Sequence, residues 1–232
     1  MTGTLVPRHP ERRVGGSDAL SGITIKELGQ GPVVVLLHGI GGGPELWNPL
    51  LPALSERMRV LVPDLSGALR AGPRAVAEML DRNLAAAGVD ACAVVGHGAG
   101  GLAAEWLALL GRVQCLILID AGPAVPGGLP APDLFAPGDE DVARIDVPAL
   151  VLWGEDDPFL GVALADRLSH LLPHATQVLL PGCGHFVLSD AGDTVSALVA
   201  EFLRVRYLGL SHDHGQASGP VPVELRRVHG PA

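Results

Sequence analysis

The sequence predicts an α/β protein built on a mostly parallel, doubly wound sheet. Short apolar runs rich in Val, Leu and Ile recur at 33–37, 60–62, 91–95, 115–119, 149–153 and 177–180. They are continuous rather than alternating, as strands buried on both faces require. Between them, 44–57, 74–87, 99–110, 159–171 and 194–207 repeat Leu, Ala and Val at helical intervals. Strand-length and helix-length segments therefore alternate along the chain, which is the order that parallel neighbours with crossover helices demand.

A chain of 232 residues suits one compact domain with a sizeable core. The expected organisation is an N-terminal arm over 1–20, a single domain over 21–210 and a flexible tail over 211–232, which lacks periodicity. Residues 23–28 add a strand paired antiparallel at an edge. The connection 121–146 is rich in Pro, Gly and Asp, and it reads as a short lid excursion rather than a large cap.

Composition excludes several functions. Apolar residues make up 48% of the chain, yet no apolar run approaches the roughly 20 residues of a membrane span. Residues 1–13 carry Arg8, Arg12 and Arg13 without the apolar core of a signal peptide, so a soluble, cytoplasmic protein is expected. Cys92, Cys115 and Cys183 show no metal or disulfide spacing. The net charge of −9 and scattered arginines oppose nucleic-acid binding. Lys26 is the one lysine, which leaves a Schiff base or phosphate-binding lysine almost no candidate. Aromatic residues at 3% offer few stacking platforms for a flavin or a base. The expectation is an enzyme with no cofactor and no metal, a small-molecule or modified-peptide substrate, no membrane partner and an open oligomeric state.

Two glycine-rich motifs carry the chemistry. Leu36-Leu37-His38-Gly39-Ile40-Gly41-Gly42-Gly43 closes a buried strand. N–H groups in such a loop converge on one oxygen, as in an oxyanion hole, although a plain strand-to-helix turn has the same residues. Val94-Val95-Gly96-His97-Gly98-Ala99-Gly100-Gly101 follows another buried strand and opens a helix, with the spacing of G-x-S-x-G. Gly96, Gly98 and Gly101 also fit G-x-G-x-x-G, but a dinucleotide loop belongs at the first turn of its sheet and this one lies mid-chain.

Together with Pro63-Asp64-Leu65, Gly154-Glu155-Asp156-Asp157 after one strand and Gly182-Cys183-Gly184-His185 after the next, these motifs make the chain resemble the α/β-hydrolase family over residues 24–207. The resemblance implies the α/β-hydrolase fold and a site at the elbow. It puts the nucleophile position at Gly98, the catalytic histidine at His185, its orienting acid at Asp157 and the oxyanion donors at the N–H groups of Ile40 and Ala99. Glycine has no side-chain oxygen, so the nucleophile position is vacant and no acyl-enzyme can form there. It does tolerate the strained positive φ expected of that residue, and the missing atoms widen the space beside His185.

Read from the residues alone, an imidazole beside Gly184 at a strand's C-terminal edge is placed to exchange protons near neutral pH. Asp157, followed by Pro158, also fits a helix N-cap. Asp120 is either an alternative acid or a capping residue. Cys183 has no evident route to the elbow, His212 and His214 lack metal partners, and Ser66, Ser189 and Ser196 are hydroxyls without an elbow. Substrate-lining candidates by position are His38, Gly39, Gly41, Leu46, Trp47, His97, Leu134, Phe135 and Phe186. Core or loop packing is an equal reading for the apolar ones.

A base and an oxyanion hole without a nucleophile suit proton abstraction next to a carbonyl. The leading expectation is therefore an atypical tailoring enzyme of the serine-less subgroup, similar to the bottromycin peptide epimerase type. It would act as an epimerase, isomerase or lyase on a bulky or peptide-like specialised metabolite. The alternatives are direct attack by a water activated by His185, a serine ester or amide hydrolase whose nucleophile is replaced by Gly98, and a non-catalytic ligand-binding protein.

Overall fold

Apolar residues alternate between two faces along each central strand, and this splits the core in two. Val33, Val35 and Leu37 point into one apolar layer, while Val34 and Leu36 point into the other. The same alternation separates Leu116 and Leu118 from Ile117 and Ile119. A sheet with both faces apolar must be covered on both sides, and the helices do so.

A computed structural model describes residues 12–13, 23–123, 136–210 and 225–226. In chain order these form β1 (Arg12–Arg13), β2 (Ile25–Leu28), β3 (Val33–Leu37), α1 (Leu51–Ser55), β4 (Arg59–Pro63), α2 (Pro73–Ala86), β5 (Cys92–His97), α3 (Ala99–Leu109) and β6 (Val113–Ile119). Then follow α4 (Asp139–Val142), β7 (Ala149–Gly154), α5 (Val162–Leu171), β8 (Ala175–Leu180), α6 (Val187–Asp190), α7 (Gly192–Arg206) and β9 (Leu225–Arg226). The sheet order is β1-β2-β4-β3-β5-β6-β7-β8-β9. The strands from β4 to β8 in that order are parallel, and β1, β2 and β9 run antiparallel at the margins. Residues of α2, α3 and α5 pack on one face, and residues of α1, α6 and α7 on the other. No described helix is long and apolar enough to cross a membrane.

The expected mostly parallel, doubly wound α/β sheet is present, with local departures. The helix expected over 44–57 is a 3-10 turn, Pro44–Trp47, followed by α1. Pro49 between them has no N–H to continue a helical ladder, while Pro52 sits in the first turn of α1, where none is needed. The helix expected from 159 starts at Val162, because residues 158–161 form a turn held by Asp157. Strand β2 is antiparallel as expected, but Arg12–Arg13 pairs outside it, so it is not the outermost strand. Within the expected tail, Leu225–Arg226 pairs with Gln177 and Val178 of β8, giving that edge strand a partner for part of its open ladder. The rest of the 1–20 arm and of the 211–232 tail, and residues 124–135 of the 121–146 excursion, lie outside the described residues.

The approach of α3 to the sheet fixes the functional edge. A Cβ on Gly100 would stand 2.1 Å from the Leu37 carbonyl oxygen and 2.6 Å from that of His38, and one on Gly96 would stand 2.6 Å from the Gly100 oxygen. The first turn of α3 therefore rests directly on the backbone of β3 and β5. Gly100→Ala is expected to cost about 2 kcal/mol or more by forced backbone displacement. Gly67→Ala, at a right-handed helical φ with open space around the site, should stay within about 0.5 kcal/mol of the parent chain. Urea unfolding midpoints of the two variants measure the contrast.

Candidate active site

Each strand of the parallel set ends in a residue of interest on the same edge. His38 follows β3, Asp64 follows β4, Gly98 follows β5, Asp120 follows β6, Asp157 lies three residues past β7, and His185 lies in the loop after β8. The carboxyl edge of a doubly wound sheet is where ligands bind in such folds.

Gly98 adopts φ 54° and ψ −125°, a conformation that an L side chain rarely enters. Three backbone bonds hold it there. Its N–H donates to the Ile119 oxygen at 3.1 Å, and its carbonyl accepts the Gly122 N–H at 3.1 Å and the Gly101 N–H at 3.0 Å. A Cβ built on Gly98 would meet His185 Nε2 at 3.5 Å and the Gly39 Cα at 3.8 Å, which are ordinary contacts. The space would accept a side chain, and the sequence provides none.

His185 faces that space with a defined tautomer. Its Nδ1 lies 2.7 Å from Asp157 Oδ2, so the proton sits on Nδ1 and Nε2 carries the lone pair toward Gly98. The ring is 6% exposed and the Asp157 side chain 0% exposed. Asp157 Oδ1 accepts the N–H groups of Phe159 at 2.8 Å and Leu160 at 3.0 Å, so the carboxylate caps its own loop as it orients the histidine. Burial raises the Asp157 pKa, but the hydrogen bonds from His185 and from those two N–H groups outweigh it and hold the carboxyl below its ordinary value.

Among the described residues, neither the Ile40 nor the Ala99 N–H donates in a turn, loop or cap hydrogen bond. Gly39 joins their loops so closely that a Cβ on it would lie 3.1 Å from the Ala99 nitrogen.

Several candidate lining residues have other tasks. His38 is fully buried, and its Nε2 accepts the Leu65 N–H at 2.9 Å, which clamps the loop after β4 to that after β3. It is a brace rather than a substrate contact. His97 is buried as well, and its Nε2–H donates to the His185 carbonyl at 2.8 Å, fixing the backbone of the histidine loop from behind. Trp47 lies wholly inside the second core, Leu46 packs half-buried on the same core, and Gly39 is buried between the two loops. Their apolar or small character reflects packing. Gly41 is exposed at φ 80° in the loop beyond. Phe186 is half-buried, stacked on His97 at 5.4 Å and edge-on to His185 at 5.2 Å. Leu134 and Phe135 lie outside the described residues. Phe159, which the sequence did not single out, is 46% exposed with its ring 5.5 Å from His185, edge-on. Its place in the turn that Asp157 caps was the one available signal.

Asp120 is not hydrogen-bonded to His185. It is fully buried, and its Oδ1 accepts the Gly154 N–H at 2.8 Å. Cys183 is buried, and burial raises its thiol pKa above the ordinary value, so it is poorly suited to act as a nucleophile.

Burial also pulls the His97 pKa down to about 4, so the ring is neutral in the fold. The unfolded chain takes up this proton near pH 6.5, so between the two values it binds more protons than the fold, and stability is lost as the pH drops from about 6.5 toward 4. His97→Gln retains an N–H for the His185 carbonyl and has no such penalty. Its stability deficit relative to the parent chain is expected to narrow by about 3 kcal/mol between pH 7 and pH 4, at about 1.4 kcal/mol per pKa unit. Urea unfolding at the two pH values reads this difference, and a deficit constant with pH would mean that the folded ring accepts the proton.

A family model described as the alpha/beta hydrolase fold matches residues 32–142. The chain is 36% identical over 110 residues to a protein named putative carbamate hydrolase RutD from Azorhizobium caulinodans, covering 44% of this chain and 42% of that one. It is 35% identical over 107 residues to a pimeloyl-(acyl-carrier protein) methyl ester esterase from Aeromonas hydrophila, again covering 44% and 42%. The chain thus spans about two fifths of the length of these curated relatives. Its fold matches that of a meta-cleavage product hydrolase from Pseudomonas fluorescens IP01 with a TM-score of 0.70 and 21% identity, across 82% of this chain and 97% of that one. A parallel sheet with a glycine turn after β5, an aspartate after β7 and a histidine after β8, matched over residues 32–142 by the family model and across 82% of the chain by the solved structure, gives this chain the α/β-hydrolase fold.

Proposed function

We propose that the chain is a cofactor-free enzyme that acts on a carbonyl compound by general-base catalysis at His185, with no acyl-enzyme stage. One observation carries this reading. The free Nε2 of an Asp157-anchored histidine is aimed at position 98, where there is no side-chain oxygen. Gly98 is then a vacant nucleophile position, and Ile40 and Ala99 supply N–H groups for a developing oxyanion.

The base has two uses, each with separate support. The unfilled space beside His185 favours a proton shuttle: Nε2 removes a proton from the carbon next to the carbonyl, the N–H groups hold the enolate oxygen, and reprotonation or bond cleavage gives an epimerase, isomerase or lyase. A connection after β6 too short for a multi-helix cap suits a bulky or peptide-like substrate. The hydrolase and esterase names of the relatives favour the other use, in which Nε2 takes a proton from a water seated beside Gly98 and the oxygen attacks an ester or carbamate carbon. Both dispense with a covalent intermediate, unlike a serine hydrolase.

The purified chain is tested against esters, carbamates and N-acyl amino-acid derivatives in D2O and in ¹⁸O-water. Deuterium at the α-carbon of recovered substrate identifies the proton shuttle, and ¹⁸O in a released acid identifies hydrolysis. His185→Gln is expected to lower either signal at least about 10²-fold, the lower end of general-base contributions. Undiminished turnover in that variant removes His185 as the base, and tight binding of a ligand with no conversion marks a non-catalytic protein. Gly98→Ser is expected to form a covalent adduct with a fluorophosphonate, detected as a mass increase that the parent chain does not show. An ester-hydrolysis burst in that variant, with the parent chain inert, would favour a serine hydrolase lacking its nucleophile.

A further inference from the structure

Asp120 sits between Ile119 and Gly122, which bond Gly98, and the Gly154 N–H at the start of the loop that carries Asp157. At φ 42° it is the one non-glycine residue with positive φ among the described residues, a conformation retained only where the surroundings enforce it. Its neighbours in sequence grip the turn at position 98, through the Gly98 N–H to the Ile119 oxygen and the Gly122 N–H to the Gly98 oxygen. Its own N–H donates to the Leu152 oxygen at 3.0 Å. Its carboxyl accepts the Gly154 N–H, and the Gly154 carbonyl in turn accepts the Asp157 N–H at 3.3 Å. The residues flanking Asp120 therefore hold the turn at Gly98, while its side chain holds the start of the loop that carries the acid. Oδ2 is buried with no hydrogen-bond partner among the described residues.

We propose that Asp120 is a positioning residue for the Asp157–His185 pair, locking the acid loop to the turn at Gly98. It does so as a neutral carboxylic acid. Burial pushes its pKa up to about 8, the charges of Asp157 and Asp190 push the same way, and the Gly154 N–H only partly offsets them. The charged groups acting on it, Asp157 from the loop after β7 and Asp190 from α6, are both acidic, so a negative Asp120 would stand unpaired behind Asp157. What this positioning does for turnover rests on the general-base reading above, but the geometry and its test do not.

The test uses NMR of the full chain and needs no substrate. The His185 Nδ1 proton, assigned by its loss in His185→Gln, should give a strongly deshielded resonance from its hydrogen bond to Asp157. This resonance is expected in the parent chain and in Asp120→Asn, whose amide oxygen still accepts the Gly154 N–H, and it is expected to vanish or broaden in Asp120→Ala. The His185 Cε1–H shift of the parent chain should show a separate inflection near pH 8 that Asp120→Asn lacks. A carboxyl without contact, direct or through the Asp157 loop, with the His185 ring would not produce that inflection. The proposal is overturned if Asp120→Ala keeps the resonance, if the parent chain shows no such inflection, or if the inflection survives in Asp120→Asn. Should Asp120→Ala fail to fold, the inflection alone decides. A positive result combined with unchanged turnover in His185→Gln would sink the catalytic reading and leave the positioning role standing.

Discussion

The site depends on how closely the first turn of α3 rests on the ends of β3 and β5. Helix and strand backbones meet there without intervening side chains, because Gly96 and Gly100 have none. A helix one methyl group further out would carry the Ala99 N–H away from the Gly39–Ile40 loop, and the turn at Gly98 would lose its fixed distance to His185. Close-packed interiors transmit displacements of this size rather than absorbing them. The polar geometry is thus set by backbone contact, and the hydrogen bonds of the histidine loop refine it.

Behind that edge, burial sorts the titratable groups into unlike roles. Asp157 keeps its charge because three hydrogen bonds reach its carboxylate. His97 and Asp120 lose theirs, since neither has enough partners to hold a charge away from water. One negative charge is left in contact with His185, on the ring nitrogen opposite the one that faces Gly98. The neutral groups serve as spacers and donors, with His97 holding the histidine loop by its backbone and Asp120 joining two strand ends.

Much of this was legible in the sequence, where the signal is local. Continuous apolar runs marked the parallel strands, and Gly96 to Gly101 marked the turn after β5 with its positive φ. Gly154 to Asp157 and Gly182 to His185 marked the two loops that meet. What escaped depends on which way a side chain turns. His38 and His97 sit in motifs that read as substrate contacts, yet both point inward to brace backbone, because each has one ring nitrogen within reach of a neighbouring loop. Trp47 followed the same rule for apolar bulk. Phe159 gives no signal in the sequence because helical spacing starts there, whereas the two N–H groups taken by Asp157 make the segment a loop. The pairing of Leu225–Arg226 with β8 joins segments far apart in sequence, and a two-residue ladder has no periodicity to read.

The conformation at Gly98 is held by Ile119, Gly122 and the helix that follows, not by anything position 98 contributes beyond its backbone. Foldedness and chemical mode are therefore separable at this point in the chain. The scaffold works as a socket, with the Asp157–His185 pair held beside a backbone conformation that residue 98 does not itself enforce. In the proposed reading, a hydroxyl or a thiol there would commit the site to covalent turnover, and glycine leaves the choice of reacting group to whatever molecule occupies the space.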